Sequence, residues 1–213
     1  VKENWLDFSE RQVDKRSFDA GWVEETRQVN GVFVTVFSND DALRAAILDS
    51  AQPIVGTDRH GCPTDHPVAE NPDGYRPDAA TSGLPPASAV ESISVCRYDL
   101  AADSAPPLLS SSRIAGADAK EVVAAIRSAP VGEGPDVENA NPDNDGSEIV
   151  VLLVDTGDGA REVVVRYSGE SGNGFNDGTT KRELTADGVR LLLTGANAPR
   201  QMFVPVARLL PRP

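Results

Sequence analysis

The chain is poor in several things, and each shortage narrows the reading. It has two cysteines and one methionine, and aromatics make up 5 % of its 213 residues. Two cysteines are too few for a cysteine-dense mini-scaffold, and a chain of this length buries a core without one. Only four lysines occur (Lys2, Lys15, Lys120 and Lys181), so arginine supplies most of the positive charge. Acids outnumber bases 33 to 20, a formal net charge of −13. A phosphate-backbone binder needs a basic stripe, and so does a polybasic membrane-surface module, which argues against nucleic acid and anionic bilayers as partners. Excess carboxylate keeps a protein soluble instead. No run approaches the ~18–20 apolar residues of a membrane span.

What is present reads as a mixed α and β chain. At ~150 residues per domain the length corresponds to one large domain or one domain with appendages. Residues 1–30 are polar, with an irregular apolar stripe of Trp5, Phe8, Val13, Phe18 and Trp22, and read as a stalk or a helix over 3–16. Gly31-Val-Phe-Val-Thr-Val-Phe37 is a β-branched, aromatic strand, followed by cap residues Asp40 and Asp41 and a short helix over 42–48. Six prolines fall in 63–91, a long irregular loop in which a functional lid and a tolerated insertion are both open readings. Strands follow at 92–98 and 108–114, then a helix to Ala129 whose apolar face is Val122, Val123 and Ile126 and which Pro130 stops. The run Ile149-Val-Val-Leu-Leu-Val154, the turn Thr156-Gly-Asp-Gly159 and a return strand over 161–167 form a hairpin. After a glycine-rich loop, Thr185 caps a helix spanning 184–193. The expected class is α+β: an antiparallel sheet with short helices on one face, in a main domain over 31–199, with 200–213 as a tail.

Cys62, in a Gly-Cys-Pro turn, and Cys96, in the strand Ser92-Ile-Ser-Val-Cys-Arg-Tyr98, form no C-x-x-C motif. An even pair suits a disulfide; the alternative is two separate buried thiols. Closing a loop of about 35 residues is worth roughly 3.8 kcal/mol in the chain-entropy model. A bridge implies an oxidising compartment. The chain starts at Val1 with no charged and then apolar leader after it, so a signal or anchor removed from a precursor is the expectation.

Three loops hold chemistry-bearing residues. Asp58-Arg-His-Gly-Cys-Pro-Thr-Asp-His66 contains both histidines, and Asp58, His60, Asp65 and His66 are zinc-ligand types, although no helical H-E-x-x-H spacing orders them. Any Ser/His/Asp site must use His60 or His66, and no serine among Ser110, Ser111 and Ser112 is marked as the partner. Asn141-Pro-Asp-Asn-Asp-Gly-Ser-Glu148 resembles the first half of a calcium loop through Asp143, Asp145 and Glu148, with Leu152 where the closing acid belongs and Asp177 as a distant substitute. The plainer reading is a solvated loop, with no cofactor. In Ser168-Gly-Glu-Ser-Gly-Asn-Gly-Phe-Asn-Asp-Gly178 neither a nucleophile elbow nor a phosphate loop is complete, and Phe175 at its tip is a candidate binding contact.

Three stretches carry a family resemblance: Ser92–Tyr98, Leu108–Pro130 around Ser110-Ser-Ser-Arg-Ile114, and Glu148–Leu193 with Val163-Val-Val-Arg-Tyr-Ser-Gly169. They are similar to a family of uncharacterised actinobacterial secreted or membrane-anchored proteins, from the Gly61-Cys62-Pro63 turn to near residue 195. The resemblance implies an extracytoplasmic domain, soluble when mature, and no activity. Such relatives have extra cysteines around the acidic and glycine-rich loops; this chain has none there, so those loops need another fastening. The expected function is non-enzymatic interaction with a cell-surface or envelope partner. Alternatives are an exported hydrolase or metal-dependent enzyme built on His60 and His66, and a secreted protease inhibitor presenting a rigid loop.

Overall fold

The computed structural model describes residues 3–9, 14–29, 32–78, 80–100, 106–142, 144 and 146–210. They form an α+β protein with two antiparallel sheets. The chain divides into two compact units, Val1–Val55 and Gly56–Pro213. No described helix is long and apolar enough to cross a membrane.

The first unit is a four-stranded sheet in the order β1-β4-β3-β2, with β1 at Trp5–Ser9, β2 at Arg16–Ser17, β3 at Val23–Val29 and β4 at Val32–Ser38. One helix, α1 (Asp41–Ser50), is capped by Asp40, which accepts from the Leu43 N–H. Val34 and Val36 alternate toward Leu48 of this helix. Arg44 is buried among them and is neutralised by Glu25 and Asp41. A strand therefore stands where a helix over 3–16 was expected. Trp5-Leu-Asp-Phe-Ser9 is a weak helix former with a ready partner, and pairing Trp5 with Phe37 and Phe8 with Val34 decides its state. Residues 10–13 lie outside the described residues. Strand β4 and helix α1, expected in the main domain, belong with these N-terminal strands.

The second unit is a six-stranded sheet in the order β10-β9-β8-β7-β5-β6. Its strands are β5 (Ser92–Asp99), β6 (Leu108–Ala115), β7 (Glu148–Asp155), β8 (Ala160–Arg166), β9 (Gly174–Asn176) and β10 (Lys181–Arg182). Helix α3 (Gly116–Ser128) leaves β6 directly. Gly116 makes that corner at φ +64°, a left-handed value that other residues reach only with strain.

The sheet is covered on both faces. Ile93, Val95, Val150, Leu152, Val163 and Val165 meet Val122, Val123 and Ile126 of α3 on one side. Cys96, Tyr98, Ile149, Val151 and Val164 meet Val68 and the rest of the Cys62 loop on the other. Val68 belongs to a second helix, α2 (Pro67–Glu70), so the helices are not confined to one face. The expected helix over 184–193 is a single turn, α4 (Ala186–Val189), capped by Thr185 as its sequence suggests. The tail adds α5 (Val204–Ala207), whose Val206 is buried in the main core.

The loop over 63–91 is bound down rather than free. The Thr81 carbonyl accepts from Glu162 N at 2.9 Å, Gly83 N donates to the Asp177 carbonyl at 2.7 Å, and Arg127 donates to the Leu84 carbonyl at 2.9 Å.

Candidate functional site

On its second face β5 presents Ser94, Cys96 and Tyr98, every other residue of the strand, and each grips the loop at 60–63. Ser94 Oγ donates to the His60 carbonyl. Cys96 is bonded to Cys62, with the Cα atoms 5.5 Å apart. Tyr98 Oη donates to the Pro63 carbonyl at 2.9 Å. The loop closes on itself through Asp58 N–H to the Cys62 carbonyl at 2.9 Å.

Ser111, paired with Cys96 across the β5–β6 ladder, joins this knot. It donates to Asp58 Oδ2 and stands 2.9 Å from His60 Nδ1. Asp58 Oδ1 takes the backbone N–H groups of His60 and Cys62 at 2.9 and 2.8 Å. Burial pushes the Asp58 carboxyl up, but the bonds from Ser111, Cys62 and His60 outweigh it and hold it below the usual carboxylate range. Sequence reasoning put His60 and Asp58 together but did not single out Ser111. The missing signal is register: only the cross-strand pairing shows which of three adjacent serines faces the loop.

The three side chains have the composition of a hydrolytic triad but not its order. In a triad the serine gives its proton to one ring nitrogen while the acid holds the other. Here the serine hydroxyl is bonded directly to the carboxylate, and histidine meets it through Nδ1, the ring nitrogen nearer Asp58 (3.9 Å). A carboxylate held at low pKa is a weak base. The arrangement fastens the loop to the edge strand.

His66 serves a separate structure. Its Nδ1 accepts the Val68 N–H at 3.2 Å, capping α2, and its Nε2 lies 3.6 Å from Glu162 Oε2. Its ring packs against Tyr75 and Tyr98 at 5.2 and 5.3 Å. Burial and then the hydrogen bond to Glu162 push the Tyr75 phenol above its ordinary range. Asp65 is exposed. Cys62 has no thiolate to offer, and among the described residues no three His, Cys, Asp or Glu side chains stand together as a metal-holding group.

Three other expected site residues take different roles. Asp143 and Asp145 lie outside the described residues. Glu148, expected in a cation loop, begins β7 and is 3 % exposed. Its Oε2 accepts from Tyr167 Oη at 2.8 Å and Arg200 N at 3.3 Å, and lies 3.6 Å from Arg97 Nη1. Arg97 in turn donates to the Ala198 carbonyl, so this buried pair holds the chain's last segment. Asp177 is saturated by Thr179, Thr180 and Leu84. Phe175 does not stand out at the loop tip: it is 1 % exposed in the main core, where Gly188 leaves room for its ring, and it is among the residues lining the cleft beside the glycine-rich loop.

The acidic and glycine-rich loops fasten each other without cysteines. Glu170 accepts from Asn141 N and Asn144 Nδ2 at 2.7 and 2.8 Å. Buried Asn173 donates to Pro135 and Gly169 carbonyls, and its backbone N–H donates to Asp136. Between these loops and residues 72–76 lies a cleft of about 280 Å³, whose floor includes Val164 and Arg166 of β8. Neither Asp58, His60 nor Ser111 lines it.

The fold and its polar centre thus define an α+β protein with a disulfide-tied loop docked on a central strand. A comparison with protein families, with curated proteins and with solved structures finds no match for the chain.

Proposed function

We propose that the protein is an extracytoplasmic, non-enzymatic binding domain acting on a cell-surface or envelope partner. The observation that carries the non-enzymatic part is the use of Asp58, His60 and Ser111: their hydrogen bonds hold loop to strand, and Asp58 is kept a weak base. The Cys62–Cys96 bond supports an oxidising location, where such a link persists. The docking of 63–91 along the sheet favours this reading over a protease inhibitor, which needs a projecting loop.

A serine hydrolase is the second reading, favoured by the 2.9 Å separation of His60 Nδ1 and Ser111 Oγ. A fluorophosphonate probe separates the two. A binding domain leaves Ser111 unlabelled at stoichiometric dose, and stable phosphonylation of Ser111, found by peptide mass spectrometry, overturns the proposal. Location is tested by alkylating cells from the native source before lysis: modification of either cysteine in most molecules contradicts the oxidising compartment.

A further inference from the structure

Strand β1 is one edge of the N-terminal sheet and pairs with β4 alone, so the N–H and C=O groups of alternate residues on its outer side have no strand beside them. Natural edges are blunted by shortness, charge or cover. The opposite edge, β2, is two residues long, and β6, the long edge of the other sheet, has no exposed large apolar side chain. On β1, by contrast, Trp5, Leu6 and Phe8 are 42, 47 and 64 % exposed.

Leu6 and Phe8 stand opposite Val36 and Val34, which pack against Leu48 of α1. The helix lies over β4 and β3, so the apolar layer of this face runs past its cover to the open edge. On the other face Trp5 is stacked on Phe37, ring centroids 5.5 Å apart, which holds the strand in place without a partner. Asp7 shares that face. Its cross-strand neighbour is Thr35, whose hydroxyl meets that of Thr26 at 2.9 Å. Among the described residues no cation pairs with the exposed Asp7.

Asp7 decides what can be added. A second copy of β1 is disfavoured: the antiparallel register that brings Leu6 against Phe8 puts Asp7 against Asp7, and like charges directly opposite repel. Shifting the register by two to part the acids leaves the five-residue strands overlapping over three. A strand with a basic residue opposite Asp7 and an apolar residue on either side meets every requirement. It supplies the main-chain bonds, pairs the carboxylate and covers Leu6 and Phe8.

We propose that β1 is a docking edge for an extended segment of a partner protein, patterned apolar–basic–apolar, which joins the sheet as a fifth strand. The proposal rests on the reading of the protein as a binding domain and names the kind of partner segment it takes. The test is amide chemical-shift titration of the whole chain with the peptide acetyl-Ser-Thr-Val-Lys-Val-Thr-Ser-amide and with its twin carrying Glu for Lys, to millimolar concentration. The expected result is saturable binding, with low-field amide-proton shifts at alternate residues of β1. The Lys peptide binds about 5-fold tighter than the Glu twin, the effect of one cross-strand charge pair. Asp7→Asn abolishes that preference and Asp7→Lys reverses it, with the thermal unfolding midpoint, measured alongside, unchanged. Absence of saturable shifts with the Lys peptide overturns the proposal. So do equal affinity for the two peptides, shifts that spare β1, and a preference that survives in a folded Asp7→Asn variant. A dimer of the free chain in sedimentation equilibrium that Phe8→Ser dissolves also overturns it, because the edge is then its own partner. Failure of the titration with Ser111 unreactive removes this site alone; phosphonylation of Ser111 removes the binding-domain reading itself.

Discussion

The phenol of Tyr98 donates a 2.9 Å hydrogen bond to the carbonyl oxygen of Pro63, 35 residues earlier in the chain. The two residues mark the far end of a line of attachments that begins at Ser94 and passes through the Cys96 sulfur. A strand's period of two puts all three on one face, so one straight element holds a curved loop at three points. Tyr98 is fully buried, and burial pushes its phenol above the ordinary range, so it stays a donor at any physiological pH. Tyr98→Phe should cost about 1–2 kcal/mol, because the carbonyl loses its donor while the ring's packing survives. Urea denaturation with the disulfide intact checks this.

Reduction of Cys62–Cys96 should cost more. The bridge spans a sequence separation of 34 residues, and the chain-entropy model assigns about 3.8 kcal/mol to a loop of that size. Cys62→Ser together with Cys96→Ser should lower the urea midpoint accordingly, and limited proteolysis should then cut within 63–91 first. A midpoint unchanged by reductant would show that the hydrogen bonds hold the loop alone.

Asp58 links stability to acid. Its folded-state pKa lies below the ordinary value, so its contribution is complete above about pH 4 and is lost as pH falls through the folded-state pKa. Asp177, depressed by its bonds to Thr179, Thr180 and Leu84 against the opposing effect of burial, behaves the same way. Asp58→Asn should therefore lower stability at neutral pH and flatten the loss between about pH 4 and pH 2. Unfolding midpoints of both proteins across that range measure the difference.

Arg97 and Glu148 carry a larger penalty when separated. Both are about 95 % or more buried, and Arg97→Ala leaves the carboxylate with Tyr167 but without its counter-charge. Breaking such a pair costs about 3–5 kcal/mol. Because Arg97 also holds the Ala198 carbonyl, amide exchange should accelerate over 198–210 in this variant before the central strands respond.

Phe175 separates core from surface directly. As a buried ring it should cost about 3–5 kcal/mol when truncated to alanine. A solvent-facing contact at the same position would leave the thermal midpoint unchanged.

Much of the second unit was legible from the chain. The run over 149–154 is apolar on both faces because both faces of β7 are covered, and the turn at 156–159 fits only a hairpin. The apolar stripe of α3, the caps at Asp40 and Thr185, and the pairing of the only two cysteines were local or nearly local signals. The strand at Trp5–Ser9 was not, because its state depends on Phe37 and Val34, roughly thirty residues away.

The sequence by itself determined the class, the polarity of the loops and which sulfurs could meet. These follow from periodicity, turn chemistry and counting, all readable within a short window. Tertiary structure decided what each polar residue is for. Ser111 rather than its neighbours meets Asp58, Glu148 faces Arg97 rather than a cation, and Phe175 turns inward instead of out. Those outcomes depend on strand register and on which loop lies over which face, and a shift of one residue in register would reverse every one of them.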